Sequence, residues 1–463
     1  MQNRLEKTLD ETRKIYVSGN ESFRDFCDFT LSIITWNLLS DARISPPNFK
    51  NTTSDKYNFT SVLKTLSHNA VNIHSTINEA LHYWNNLLQN QQKYGLALLK
   101  WDDAITENLP GNSWKLILQL WGKFFSIFPS DNRDILCEFW EYIERYFVAA
   151  YNNENAYLTP VALISTMTQY LRGEEKNISI YDPYARTGNL LAGAQHIVPG
   201  VQEIVGMSST RLSWKLATIR LLFTGVQSNI HLSNSSKIDV NNDTFDMILS
   251  NPPYGDSRDS ISISVKDQHL ATIIQKTKRL EVLFLSHMLD KLSDDGRAAI
   301  LLPSVFLTGS SSVKSLMAYI LYRNILDVVV ELPQGLFERT AIAPVLFCLN
   351  KKRKKDKNII LINATNEMFK SGRQLYLNEK TLTAWLQQIQ DGSIPNEKNI
   401  IKVAPHEVVT ADYNFYKLLH LQEKEDNGER KPVAQLLVEG EQIQNNLVLV
   451  QREIAVLIQN YNN

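Results

Sequence analysis

Apolar residues recur at intervals of three and four through the first third of the chain: Phe26, Phe29, Ile33, Ile34 and Leu38, then Trp114, Ile117, Trp121 and Phe124. That spacing places side chains on one face of a helix, so residues 1–150 read as an N-terminal helical domain. The same stretch holds six of the eight tryptophans, which suits a core of its own. The Pro-, Ser-, Asn- and Thr-rich segment 45–58 reads as a loop between its helices.

Over residues 151–370 the period changes. Short apolar runs, NISIYD (177–182), QEIVGM (202–207), FDMILS (245–250), AAILLP (298–303), ILDVVVEL (325–332) and APVLFCLN (343–350), alternate with amphipathic stretches near 188–197, 209–224, 278–292 and 312–323. Strands alternating with helices predict an α/β fold with a mostly parallel sheet covered on both faces. One more strand-like run, NIILINA (358–364), follows a basic heptapeptide at 351–357. Residues 371–463 read as a polar, helix-rich C-terminal segment. Near its end Ile443, Leu447, Val450, Ile454 and Leu457 form an apolar seam, suited to its own domain or to a partner's helix.

Composition narrows the possibilities. A length of 463 residues accommodates two or three domains. No apolar run approaches a membrane span, the N-terminus is charged, and three scattered cysteines make no disulfide framework, so a cytoplasmic location is expected. The nine histidines show no ligand spacing, and no metal is expected. With a net charge of −1, any attraction to nucleic acid has to come from a local patch or a partner chain. The heptapeptide 351–357 is a candidate patch, either as a solvated turn or as a phosphate-contacting ridge beside the active cleft.

The chemistry concentrates at the ends of the expected strands. Asn251, Pro252, Pro253 and Tyr254 follow FDMILS directly, at the strand edge where open α/β sheets bind ligands. Two prolines stiffen this turn, and Pro252 holds Asn251 extended. The Asn251 side-chain oxygen and the Pro252 carbonyl are two acceptors, enough for both hydrogens of a planar amino group, and Tyr254 offers a flat face for stacking. Upstream, YDPYARTGNLL (181–191) has the form strand, turn, helix, which exposes backbone amides to a ligand. Thr159 and Pro160 precede another helix as cap and first-turn residue, with the threonine hydroxyl available to a carboxylate.

Taken in order, LTP, DPYARTGNLL, NPPYG, LFLSHMLDKLSDDGRAAILLP and ELPQGLFERTAIAPVLFCLNKK resemble the adenine-N6 DNA methyltransferase subunits of type I restriction-modification systems, over roughly residues 150–365. The resemblance implies an S-adenosylmethionine-dependent methyltransferase (Rossmann-like) sheet of seven strands. It implies that Thr159 and Pro160 meet the methionine end of the cofactor and that Asp182, Pro183, Thr187 and Gly188 line its pocket. Asn234 would bond the cofactor's adenine, and Asn251, Pro252, Pro253 and Tyr254 would hold a flipped-out adenine of double-stranded DNA. Arg339 and Thr340 would lie near that base or its backbone. It further implies a sequence-specificity subunit, and a restriction (nuclease) subunit where the system includes one.

The sequence also departs from this pattern. Arg186 stands where the family's cofactor loop has its first glycine, with a guanidinium directed either against the methionine moiety or outward. After the second strand Met207, Ser208 and Ser209 offer no carboxylate for the ribose. Two rival readings follow: a catalytically weak or inactive subunit with an assembly or DNA-clamping role, and a methyltransferase of protein glutamine or RNA guanine.

Overall fold

A computed structural model describes residues 1–16, 23–41, 55–68, 72–90, 109–129, 132–147, 159–173, 177–232, 244–254, 263–308, 311–337, 343–354, 357–371 and 374–426. The apolar seam at 443–457, Asn234, Arg339 and Thr340 lie outside them. The chain divides into two compact units, Met1–Phe415 and Tyr416–Asn463, and the first holds the helical layer, the sheet and the site.

The helical expectation for the N-terminal third holds. Helices α1 (Gln2–Tyr16), α2 (Phe23–Ser40), α3 (Phe59–His68), α4 (Ile73–Asn90), α5 (Gly111–Phe125) and α6 (Arg133–Phe147) pack around one aromatic-rich core. Phe26, Phe29, Ile33, Ile34 and Leu38 of α2, and Trp114, Ile117, Trp121 and Phe124 of α5, are all buried in it. Of the segment read as a loop, its described end forms a 3-10 turn at Asp55–Tyr57.

After α7 (Val161–Leu171) the chain alternates as predicted: β1 (Ile178–Asp182), α8 (Asn189–Ile197), β2 (Val201–Ser208), α9 (Arg211–Leu222), β3 (Gln227–Leu232) and β4 (Phe245–Ser250). Next come α10 (Gln268–Gln275), α11 (Leu280–Lys291), β5 (Leu292–Pro303), α12 (Val305–Thr308), α13 (Ser311–Tyr322), β6 (Leu326–Glu331), β7 (Pro344–Asn350) and β8 (Ile359–Asn363). A hairpin of β9 (Met368–Ser371) and β10 (Gln374–Leu377) follows, then α14 (Glu379–Gln390), β11 (Ile400–Val403), α15 (Pro405–Thr410) and α16 (Phe415–Asp426).

The sheet has nine strands rather than seven, in the order β11-β8-β6-β7-β5-β4-β1-β2-β3. β7 runs antiparallel between β5 and β6, and β11 runs antiparallel to β8; every other pairing is parallel. The two strands that no apolar run marks are β3 and β11, the latter drawn from the segment after residue 370. β3 escapes the apolar pattern for a physical reason. It is an edge strand, and only alternate residues such as Ser228 and Ile230 are buried, so its sequence is largely polar.

Helix α9 joins the two layers. From Leu212 to Leu222 every residue is buried, because the helix lies between the sheet and the N-terminal helices. A helix enclosed on all sides should be apolar all round. Its two buried cations, Lys215 and Arg220, are each paired with an acid of the helical layer. Lys215 Nζ meets Asp28 at 2.9 Å, and Arg220 meets Glu144 at 3.0 Å.

The antiparallel β7 also decides where the basic heptapeptide lies. Pro344 pairs with Pro303 at the carboxyl end of β5, and Asn350 pairs with Arg297 near its start. Residues 351–354 therefore leave the sheet on the rim opposite the carboxyl ends of β1, β4 and β5. Lys351 donates to the Leu292 carbonyl, Lys352 pairs with Asp295 at 3.1 Å, and Arg353 and Lys357 meet the buried Asp327 at 3.4 and 3.0 Å. A phosphate-contacting ridge beside the cleft is excluded for this turn: it lies at the wrong end of the sheet, and Lys351, Arg353 and Lys357 are committed to partners within the fold.

Candidate active site

The carboxyl ends of β1 and β4 lie side by side, and each feeds a turn into one narrow cleft. Glu144, Thr159, Asp182, Tyr184, Arg186, Thr187 and Asn251 are among its walls, and it encloses about 290 Å³ counted out to its open mouth. Among the described residues no cluster of side chains suits a metal ion.

The turn after β4 is buried from Asn251 to Tyr254. Asn251 Nδ2 donates to Thr159 Oγ1 at 3.0 Å, and the Tyr254 hydroxyl donates to Asn251 Oδ1 at 3.3 Å. Both polar ends of the Asn251 carboxamide are thus oriented by groups from two other points in the chain. The Thr159 hydroxyl serves Asn251 and does not cap α7. The N-cap position falls on Pro160, one residue later than expected, and makes no side-chain capping bond. Burial raises the Tyr254 hydroxyl pKa well above its ordinary range, so Tyr254 remains a neutral donor.

The turn after β1 has a different character. Asp182 is 1% exposed, and its Oδ1 accepts from the Tyr184 amide at 2.9 Å and from Ser250 Oγ at 2.8 Å. Burial pushes its carboxyl up to about 7, against the opposing pull of those donors and of Arg186. Gly188 is the N-cap of α8 with φ of +74°, and a Cβ there would stand 3.1 Å from the Ala217 backbone of α9. The position therefore requires glycine for both its left-handed conformation and its close approach.

Arg186 also adopts left-handed backbone, with φ of +49°. That conformation explains why glycine suits the position, and a non-glycine residue there costs about 1–2 kcal/mol. Its side chain points inward. The guanidinium carbon lies 5.1 Å from the Tyr184 ring centroid, and its charge acts on both Asp182 and Tyr254. Of the two directions open to this side chain, the structure shows the one that narrows the cleft.

Ser208, at the end of β2, is buried and donates to the Arg186 carbonyl, while the Ala185 amide donates to Met207 O at 2.8 Å. The Ser209 hydroxyl is buried with no hydrogen bond among the described residues. Asp182 and the Thr159 hydroxyl suit a ligand that combines an ammonium or sulfonium charge with an amino-acid end. The residues present therefore fit the amino-acid and sulfonium part of S-adenosylmethionine, with the Arg186 cation beside it.

Four participants escaped sequence reasoning: Glu144, Tyr184, Arg220 and Ser250. The Thr187 hydroxyl donates to Glu144 of α6; Arg220 donates to the Thr187 carbonyl and to the Trp140 carbonyl, each at 3.1 Å. The available signal was Lys215 and Arg220 inside RLSWKLATIRLL, a helix without a polar face, since a cation there needs a buried partner.

Residues 131–429 match the N-6 DNA Methylase family, more than half of the chain, and the chain belongs to that family. It is similar to the type I restriction enzyme MpnII methylase subunit of Mycoplasma pneumoniae, 22% identical over 278 residues, which are 55% of this chain and 51% of that one. It is also similar to the type I restriction enzyme EcoEI methylase subunit of Escherichia coli, 25% identical over 224 residues, 45% of this chain and 44% of that one. The chain spans about half the length of the curated relatives it matches.

Among solved structures, the methyltransferase subunit of a type I restriction-modification system from Streptococcus thermophilus superposes with a TM-score of 0.69 at 16% identity, covering 90% of this chain and 98% of that one. A chain from a type I restriction-modification assembly gives 0.59 at 14% identity, covering 99% of both. The α/β fold with its mostly parallel sheet and N-terminal helices is thus shared with that Streptococcus thermophilus methyltransferase subunit.

Proposed function

We propose that this chain is a site-specific DNA adenine-N6 methyltransferase that uses S-adenosylmethionine and works as the modification subunit of a type I restriction-modification complex. The observation that carries the reading is the Asn251 carboxamide, held at the end of β4 by Thr159 and Tyr254 on the wall of the cleft that Asp182 also lines.

An adenine amino nitrogen is a poor nucleophile because its lone pair is delocalised into the ring. Asn251 Oδ1 and the Pro252 carbonyl accept its two hydrogens and draw it toward tetrahedral geometry, and their fixed dipoles stabilise the charge that develops on it. Tyr254 yields its hydrogen bond on Asn251 Oδ1 to the incoming amino group and stacks on the flipped base, which offsets about 1–3 kcal/mol of the unstacking cost. When bound, the cofactor supplies an electrophilic methyl on a positively charged sulfur. No strong general base is needed, because the amino proton is acidic once the nitrogen carries the methyl, and it departs to water. Thr159, Pro160, Asp182, Pro183, Thr187 and Gly188 form the cofactor side of the cleft in this reading, with Asn234 as the further candidate.

Sequence recognition falls to a separate specificity subunit, in keeping with a net charge of −1. A nuclease subunit joins where the system restricts DNA, and the location is cytoplasmic. Among the described residues no helix is long and apolar enough to cross a membrane.

The test is transfer of labelled methyl from S-adenosylmethionine to double-stranded DNA in the presence of the cognate specificity subunit. Asn251→Ala should lower kcat about 10²–10³-fold while leaving cofactor affinity within about threefold. Labelling of RNA or of a glutamine-bearing protein with none in DNA would transfer the assignment to those substrates. The inactive-subunit reading draws on the inward Arg186 and the absent ribose carboxylate. Native chain that shows no cofactor binding at millimolar concentration would favour it.

A further inference from the structure

The N-terminal helical layer sends one ionisable side chain into the cleft. Glu144, on α6, is 2% exposed and lines the same walls as Thr159, Asp182 and Asn251. It accepts the hydroxyl of Thr187, the residue just before the left-handed Gly188 that opens α8. Its other oxygen meets Arg220 of α9 at 3.0 Å, and Arg220 returns to the same loop by donating to the Thr187 carbonyl at 3.1 Å. Thr187 is therefore gripped at two atoms, its hydroxyl by the acid and its carbonyl by the base. A buried ion pair contributes little net stability when both charges lose their water, yet it fixes geometry when each remaining lone pair and proton is used.

We propose that Glu144 is a positioning residue of the cofactor loop: together with Arg220 it holds Thr187 so that the turn from Asp182 to Gly188 keeps its ligand-binding shape, and the helical layer thereby completes the cofactor pocket. This rests on the cofactor reading given above. The family pattern at residues 182–188 is interrupted by Arg186, whose left-handed backbone strains the turn. The Glu144–Arg220 pair supplies an external constraint where the loop's own glycine is missing.

Calorimetric titration of the full-length chain with S-adenosylmethionine and S-adenosylhomocysteine tests it, alongside melting of the ligand-free variants. Glu144→Gln keeps an acceptor but removes the charge facing Arg220, and should weaken both ligands about tenfold or more. Thr187→Val, which preserves shape and loses the hydroxyl, should weaken them comparably, whereas Thr187→Ser should stay within about twofold. The double variant Glu144→Gln, Thr187→Val should be no weaker than the poorer single variant, since both remove one linkage; independent contributions would add instead. Should Glu144→Gln fail to fold, Glu144→Met combined with Arg220→Met removes the charge pair without leaving either partner alone, and should melt near the native temperature with the same loss of affinity. Native affinity in Glu144→Gln or in the double methionine variant, or additive losses in the cycle, would overturn the proposal. Failure of the native chain itself to bind either ligand would instead remove the cofactor reading, and this proposal with it.

Discussion

The loops that follow β1 and β4 sit on the same rim and line the same cleft, yet they are built on opposite terms. The turn from Asn251 to Tyr254 carries its rigidity in its own residues: two prolines fix the backbone, and its side chains bond to each other and to Thr159. The turn from Asp182 to Gly188 is held from outside. Its conformation includes a left-handed arginine, and it is anchored by Ser250, Ser208, Glu144 and Arg220, drawn from β4, β2, α6 and α9. A self-contained turn tolerates change in its surroundings, whereas an externally held one transmits it. Target-base chemistry should therefore be robust to the helical layer, while cofactor affinity should depend on it.

The sharpest probe of the self-contained loop is Tyr254. Tyr254→Ala should lower kcat/KM for DNA about 10–100-fold through lost stacking, and Tyr254→Phe only a few-fold, with cofactor affinity unchanged in both. Loss of cofactor affinity in Tyr254→Ala would mean that the two loops are not separable.

For the externally held loop, Arg186→Gly should tighten S-adenosylmethionine binding about tenfold in a calorimetric titration. It clears from the cleft a cation that repels a positively charged sulfonium, and about 1.4 kcal/mol of relieved repulsion is a factor of ten. A weaker complex would show instead that the guanidinium receives the ligand.

A third probe uses pH. The Asp182 carboxyl has its folded pKa raised by burial from 3.8 to about 7, so the native state holds a proton that the unfolded chain gives up. The stability this contributes is complete below about pH 4 and is lost as pH rises to about 7. Relative to Asp182→Asn, the native chain should lose about 2–4 °C of melting temperature or more across that window, and the difference should level off above it. A constant difference from pH 4 to 7 would show that this carboxyl is ionised throughout.

The smallest effect is expected on the far rim. Lys352→Ala with Lys354→Ala should change DNA affinity less than about twofold and leave its salt dependence as it was, because this turn lies away from the cleft. A drop of tenfold or more would place DNA at the opposite end of the sheet.

The heptapeptide shows where sequence reasoning reaches its limit. Six cations in seven residues are visible at 351–357, but their location follows from β7 entering antiparallel between β5 and β6. Local pattern carries no information on strand direction. β3 and β11 were missed for a related reason: at the sheet's two edges burial is partial, and their residues alternate or stay half-exposed instead of forming apolar runs. By contrast β4 and β7 match the expected runs almost residue for residue, since central strands covered on both faces must be apolar throughout.

Sequence by itself determined the helical first third, the alternating strands and helices, and the stiff Asn251–Tyr254 turn at a strand end. Those features depend on interactions a few residues long: helical and strand periods, and the fixed backbone of proline. Tertiary structure alone decided that Arg186 points inward and that Glu144, forty-three residues before Thr187, meets it together with Arg220. Such pairings are set by which layers pack together, and that packing is a property of the whole core.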